Sequence, residues 1–148
     1  MKKNLHILFL FILLSACNYE PIFSSKDSKF SIVGIEIKNK NNLTYQITRS
    51  LKTYQNSDGI KKYKLEIEAE KKKEVTAKDS KGNIKSYKIV ITCNFIIYEK
   101  DEIINSKTIT ESFGFNNNSD KFKLRKYESN IEKDLVNKII EDLVLELY

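Results

Sequence analysis

From Phe30 onward the hydrophobic positions recur at two spacings, and each change of spacing marks a new element. "FSIVGIEIK" alternates, which predicts a strand with Val33, Ile35 and Ile37 on one side. In "NNLTYQITRSLKTY" the period lengthens. Leu43, Ile47, Leu51 and Tyr54 recur every three or four residues and form one helical stripe. Asn41 or Asn42 can cap its start, and Asn56-Ser57-Asp58-Gly59 is expected to stop it. Alternation then returns from Lys61. Tyr63, Leu65, Ile67 and Ala69 face one way, while Lys64, Glu66, Glu68 and Glu70 face the other.

After the polar turn "KDSKGN" a second alternating run covers residues 84–99, with Tyr87, Ile89, Ile91, Cys93, Phe95 and Ile97 on a shared face. "EKDE" turns the chain into a third run at 103–115. "NNNSD" then supplies a loop and an N-cap. The last helix is lined by Leu124, Tyr127, Ile131, Leu135, Ile139, Leu143 and Leu147, and widened by Val136, Ile140 and Val144. One-sided alternation suits an antiparallel sheet with one covered face, and the helical stripes need that face for burial. The expected fold is α+β, in the order β-α-β-β-β-α. Two helices pack on one face of a four-stranded, mostly antiparallel sheet, forming a single domain over residues 30–148.

Residues 1–16 follow neither period. Lys2 and Lys3 are followed by a run over residues 5–14 that is nearly pure Leu, Ile and Phe, after which come Ser15, Ala16 and Cys17. That is the layout of a secretory signal. A helix of about ten residues is roughly 15 Å long, half of a hydrocarbon core of about 30 Å, so a permanent span is disfavoured. Small residues ending at a cysteine, Leu14-Ser15-Ala16-Cys17, resemble the lipobox of bacterial lipoproteins. In that class the cysteine sulfur carries diacylglycerol, cleavage falls before it, and the new amino terminus takes an acyl chain such as palmitate. An uncleaved anchor, or an ordinary signal with a chance cysteine, is the alternative. Two or more acyl chains hold a protein to a bilayer firmly, where one holds weakly. Asn18 in place of an aspartate favours the outer membrane, by resemblance to enteric sorting rules. Residues 17–29, with Pro21 and the polar run from Ser24, read as a lipidated tether.

Charge and chemistry narrow the function. Removing Lys2 and Lys3 leaves 24 basic against 20 acidic residues and lowers the formal charge from +6 to +4. This modest, interspersed excess argues against nucleic acid as a partner. The one histidine, His6, lies in the leader, so no catalytic histidine or histidine-ligated metal site is expected in the mature chain. Cys93 has no partner once Cys17 is alkylated, and core filling is favoured over a nucleophilic role. The four glycines are scattered singly and make no phosphate loop. Glu66, Glu68 and Glu70 can in principle act as acid and base, but the lysines around them favour a solvated face. The expectation is a non-enzyme with no catalytic residues, no metal and no cofactor beyond the lipid on Cys17.

Two features can bind something. In "KKKEVTAKDSKGNIK", Lys71, Lys72, Lys73, Lys78, Lys81 and Lys85 crowd around a turn and can meet phosphate or carboxylate groups as point charges. Alternatively, these lysines keep an exposed hairpin from pairing with neighbours. Tyr19 and Phe23 can pack at a membrane interface, against a partner, or over the base of the domain.

The start Cys17-Asn18-Tyr19-Glu20-Pro21-Ile22-Phe23 resembles the Cys-Gly-Phe-x-Pro-Leu-Tyr opening of the LptE family, the lipopolysaccharide-assembly lipoproteins, with Asn18 in place of the usual glycine. Arg49-Ser50-Leu51 is similar to the arginine and leucine of that family's first helix, and the element order with its long last helix also matches. The resemblance implies an outer-membrane lipoprotein that plugs the LptD β-barrel, assists its assembly and contacts lipopolysaccharide in transit. The domain would lie on the periplasmic side or inside that barrel. Lys78 and Lys81 are the candidate contacts carried over from the family's basic residues near the second hairpin. An adaptor lipoprotein of an outer-membrane phospholipid-transport system is the alternative.

Overall fold

The computed structural model describes residues 29–55 and 58–148. The leader, Cys17, Tyr19 and Phe23 lie outside the described residues, as do Asn56 and Ser57 of the expected helix stop. Strand β1 spans Phe30–Ile37, helix α1 Asn42–Leu51, β2 Lys61–Lys78, β3 Ile84–Glu99, β4 Glu102–Asn116 and helix α2 Lys121–Leu147. A short 3-10 turn, Lys52–Tyr54, follows α1 and carries Tyr54 past the end of the helix proper.

The four strands lie in sequence order. β1 pairs with β2 in parallel, and β2–β3 and β3–β4 are antiparallel hairpins. Both helices cover one face, as the α+β reading expects. β3 sits inside the sheet, and from Ile89 to Ile97 every inward side chain on it is buried. α2 lays Ile131, Leu135, Ile139 and Leu143 into the same core, and α1 adds Leu43, Ile47 and Leu51. Each such side chain taken fully out of water contributes about 1.5–3 kcal/mol. Tyr127, expected on the α2 stripe, is half exposed and meets the core only edge-on, with its ring 6.0 Å from that of Phe115.

The first strand corrects one expectation. Phe30 and Ile32 are buried, whereas Val33 points outward with 61% of its surface exposed. The register explains this: Ile32 pairs with Tyr63 and Gly34 with Lys64, leaving Val33 as an extra bulged residue. Before the bulge the even positions face inward. After it Ile35 and Ile37 do, each opposite an inward residue of β2, Leu65 and Ile67. An inserted residue resets which side of the sheet each side chain takes.

The turn from β1 into α1 is held by asparagines. Asn41 is the N-cap: its side chain accepts from Thr44 N–H at 2.9 Å, and its own N–H donates to Thr44 Oγ1 at 3.1 Å. The amides of Asn39 and Asn41 both donate to the Ala69 carbonyl, at 2.8 and 2.9 Å, while Ala69 N–H donates to Asn39 Oδ1. Side chains thus continue the β1–β2 ladder past the end of β1. Gly59, on the return from α1, has a second reason to be glycine beyond stopping a helix. A Cβ there would stand 2.1 Å from the Phe30 carbonyl carbon, so any side chain would collide with the backbone that opens β1.

Candidate functional site

The β2–β3 ladder runs from Tyr63 opposite Glu99 to Lys78 opposite Ile84. Fifteen residue steps at about 3.3 Å make a ribbon of roughly 50 Å. Its basal end is where the chain enters: Phe30 lies beside Lys61, and the ring of Tyr148 at the end of α2 stands 5.6 Å from that of Phe30. Its distal end is the turn singled out in the sequence.

That turn is organised around Asp79. The carboxylate accepts from the N–H groups of Lys81 at 2.9 Å and Asn83 at 2.8 Å, and from the Asn83 side-chain amide at 3.0 Å. Gly82 N–H donates to the Asp79 carbonyl, and Gly82 takes φ +83°, a conformation that favours glycine. The Asn83 amide group and backbone N–H, hydrogen-bonded to the carboxylate, hold the Asp79 pKa below its ordinary value. The backbone is therefore fixed while Lys78 and Lys81 stand exposed on either side of it.

The six lysines of this stretch separate into two groups. Lys71 and Lys73 occupy inward positions of β2, in line with Ala69, and reach α2: Lys71 Nζ lies 2.5 Å from Glu132 Oε2, and Lys73 pairs with Glu128. The Lys73 ammonium also lies 4.0 Å from the centre of the Tyr87 ring. Lys72 pairs with Glu70, and Lys85 with Asp79. Among the described residues Lys78 and Lys81 pair with no carboxylate. They alone of the six have no paired carboxylate to compete with an outside anion.

The sequence reading missed what stands next to them. Asn117 N–H donates to the Lys85 carbonyl at 2.7 Å, and its side chain donates to the Ile84 carbonyl at 2.9 Å. These bonds pin the β4–α2 loop against the hairpin and bring up the first turns of α2, with exposed Lys121, Lys123, Arg125 and Lys126. A signal was available: the dipole at a helix N-terminus favours anions, so four cations there work against local stability. A hollow of about 390 Å³ opens beside this loop, lined by Asn117, Lys123 and Tyr127 among others. The buried Asn117 Oδ1 has no hydrogen-bond partner among the described residues.

The other chemical candidates are structural here. Glu66 Oε2 lies 3.1 Å from Lys38 Nζ and accepts the Tyr98 hydroxyl at 3.2 Å, while Glu68 and Glu70 are exposed on the same outer face. Burial and the adjacent Glu66 carboxylate raise the Tyr98 phenol above its usual value. Cys93 is fully enclosed, and burial pushes its thiol up to about 12. Among the described residues no cluster of His, Cys, Asp and Glu could hold a metal ion, and no helix is long and apolar enough to cross a membrane.

The fold has relatives among solved structures. The chain is similar to rare lipoprotein B from Shewanella oneidensis, at 9% identity and a TM-score of 0.57 over 79% of this chain and 94% of that one. It is similar to a minor lipoprotein from Acinetobacter baumannii, at 16% identity and a TM-score of 0.58 over 82% and 91%. Lipoprotein B from Nitrosomonas europaea gives 12% and 0.56 over 79% and 83%. These structures have the LptE-like fold, so the resemblance drawn from the sequence holds at the level of fold. No protein-family model matches the chain, and no curated protein matches it in sequence.

Proposed function

We propose that this chain is an outer-membrane lipoprotein of the LptE type, anchored through an acylated Cys17. It plugs and helps assemble an LptD-like β-barrel and takes part in moving lipopolysaccharide to the cell surface. The carrying observation is the placement of two unpaired lysines, Lys78 and Lys81, at the far end of a ribbon of roughly 50 Å whose other end receives the chain from residue 29. A membrane β-barrel has an apolar band about 25 Å tall and a polar interior. A module moored at one bilayer face can therefore fill such a lumen and still present its cations beyond the other side. The outer face of the sheet suits a wet lumen: Thr92 and Thr110 hydroxyls lie 3.2 Å apart there, and Thr108 donates to Asn94 at 2.8 Å. The chain acts by binding; it uses no cofactor and performs no catalysis.

The phosphates or other acidic groups of the lipid are the ligands for Lys78 and Lys81, with the basic first turns of α2 close by. Reversing both charges in the mature, lipidated protein (Lys78→Glu with Lys81→Glu) should weaken lipopolysaccharide binding about tenfold, or roughly 1.4 kcal/mol. The melting temperature should stay near that of the parent, since neither side chain holds the fold. Unchanged binding overturns this assignment of the site.

A further inference from the structure

At the basal end the outer face of the sheet carries a groove of about 380 Å³ that the proposed function leaves unused. Its lining includes Val33, Ile60, Lys62, Lys64, Tyr98 and Lys100. Val33 reaches it because the β1 bulge turns an aliphatic side chain out onto a face otherwise rich in charge. Ile60, just before β2, is 95% exposed. Two large aliphatic groups beside an aromatic ring form an apolar surface in need of cover. The lysines outnumber the carboxylates of Glu99 and Asp101 in the same lining, and among the described residues Lys62 and Lys100 form no ion pair.

We infer that this groove is the seat of residues 19–23 of the same chain, Tyr19-Glu20-Pro21-Ile22-Phe23. Reach permits it. Six residue steps separate Phe23 from Lys29, which at about 3.4 Å each gives roughly 20 Å, and the described chain begins at that same end of the sheet. The chemistry also matches. Tyr19, Ile22 and Phe23 bring apolar surface for Val33, Ile60 and Tyr98, and Glu20 brings a carboxylate to the unpaired lysines. Pro21 suits the role because its ring fixes φ and lowers the entropy cost of ordering a short docked segment. The tether then acts as a strap. It sets the angle between the anchored residue 17 and the domain, where a free linker would leave that angle loose. The inference needs only these residues and the groove, and it stands or falls separately from lipopolysaccharide binding.

Cysteine pairs test it in the processed, lipidated protein in its own membranes. Phe23→Cys is combined in turn with Ile60→Cys, with Val33→Cys, and with Leu145→Cys, an exposed position on α2 away from the groove. Disulfide formation follows effective concentration, so the pairs with positions 60 and 33 should link at least about fivefold faster than the pair with 145. Equal rates for all three overturn the inference. So does a photoreactive group at position 60 that captures lipid or a second protein in place of residues 19–23. A second measurement needs no cross-link. Val33→Asp with Ile60→Asp should speed chymotryptic cleavage after Tyr19 and Phe23 about fivefold, because protection by docking is lost. An unchanged cleavage rate counts against the seat.

Discussion

The β2–β3 ribbon has a basal and a distal half that share one backbone geometry and differ in what their inward positions carry. In the basal half Leu65, Ile67 and Ala69 of β2 stand opposite Ile97, Phe95 and Cys93 of β3, and all six are buried, as is Tyr63. In the distal half the same inward row of β2 continues as Lys71, Lys73 and Val75, while β3 keeps Ile91, Ile89 and Tyr87. Alternation is thus uninterrupted, but the buried row of β2 stops where α1 stops covering it, while that of β3 continues through Ile91 and Ile89. Beyond that point α2 alone lies over the sheet, and its edge meets β2 with Glu132 and Glu128 rather than with apolar side chains. The other flank of α2 also meets β4 through polar pairs, and there they reach into the basal half: Lys107 and Asn105 bond to Glu146, each at 2.8 Å, and Lys138 pairs with Glu111. On β2, packing fixes the basal half, and charge pairs and a tight turn hold the distal half; such charge pairs contribute little each when solvent reaches them. The division suits the proposed mooring at one end and the proposed binding at the other.

The contrast can be broken most severely at Gly59. Gly59→Ala places a methyl group on the Phe30 backbone and should cost about 3 kcal/mol or more, or abolish folding, as judged by denaturant unfolding and soluble yield. Matched truncations on the two halves come next. Ile97→Ala should lose about 2–5 kcal/mol through the cavity it leaves, whereas Val75→Ala, at a half-exposed site, should lose less than about 1 kcal/mol. Comparable losses would mean that the distal ribbon is as tightly packed as the base.

The β3–β4 turn offers a gain. Lys100 and Asp101 both adopt positive φ, 50° and 66°, which side-chain-bearing residues take reluctantly. Lys100→Asn with Asp101→Gly installs the pair that such two-residue hairpin turns favour and should raise stability by about 1 kcal/mol, measured as a shift in the unfolding midpoint. Smaller still is the effect of a charged flank. The hydrogen bond from Lys107, with a second from Asn105, lowers the Glu146 pKa. A depressed folded-state carboxylate contributes stability above its unfolded value and loses it as the pH falls through the folded value. Lys107→Met should therefore lower stability slightly at neutral pH, and the difference from the parent should disappear as the pH falls through the folded Glu146 value.

How much was legible follows the same division. The inward rows at residues 63–69 and 89–97 and the stripes of both helices could be read because burial of apolar side chains sets the period. Val33 was misplaced because alternation carries no mark of a bulge; only the register with Tyr63 and Lys64 reveals it. The distal lysines looked like one cluster because nothing in "KKKEVTAKDSKGNIK" tells that Glu128 and Glu132, more than fifty residues on, claim Lys73 and Lys71. Lys78 and Lys81 were legible as exposed because Asp79 and Gly82 announce a turn. The basic start of α2 joins them only through the Asn117 bonds to Ile84 and Lys85, which no local pattern encodes. Cys17, on which the mooring depends, lies outside the described residues and rests on its sequence context.

The central claim is that the moored domain occupies a large outer-membrane barrel. Its most direct test is a crosslinking pull-down of the tagged full chain from membranes solubilised after crosslinking in intact cells. One large β-barrel protein recovered in equal stoichiometry, together with lipopolysaccharide, is the outcome this account predicts. Recovery of an inner-membrane lipid-transport component without any barrel would contradict it.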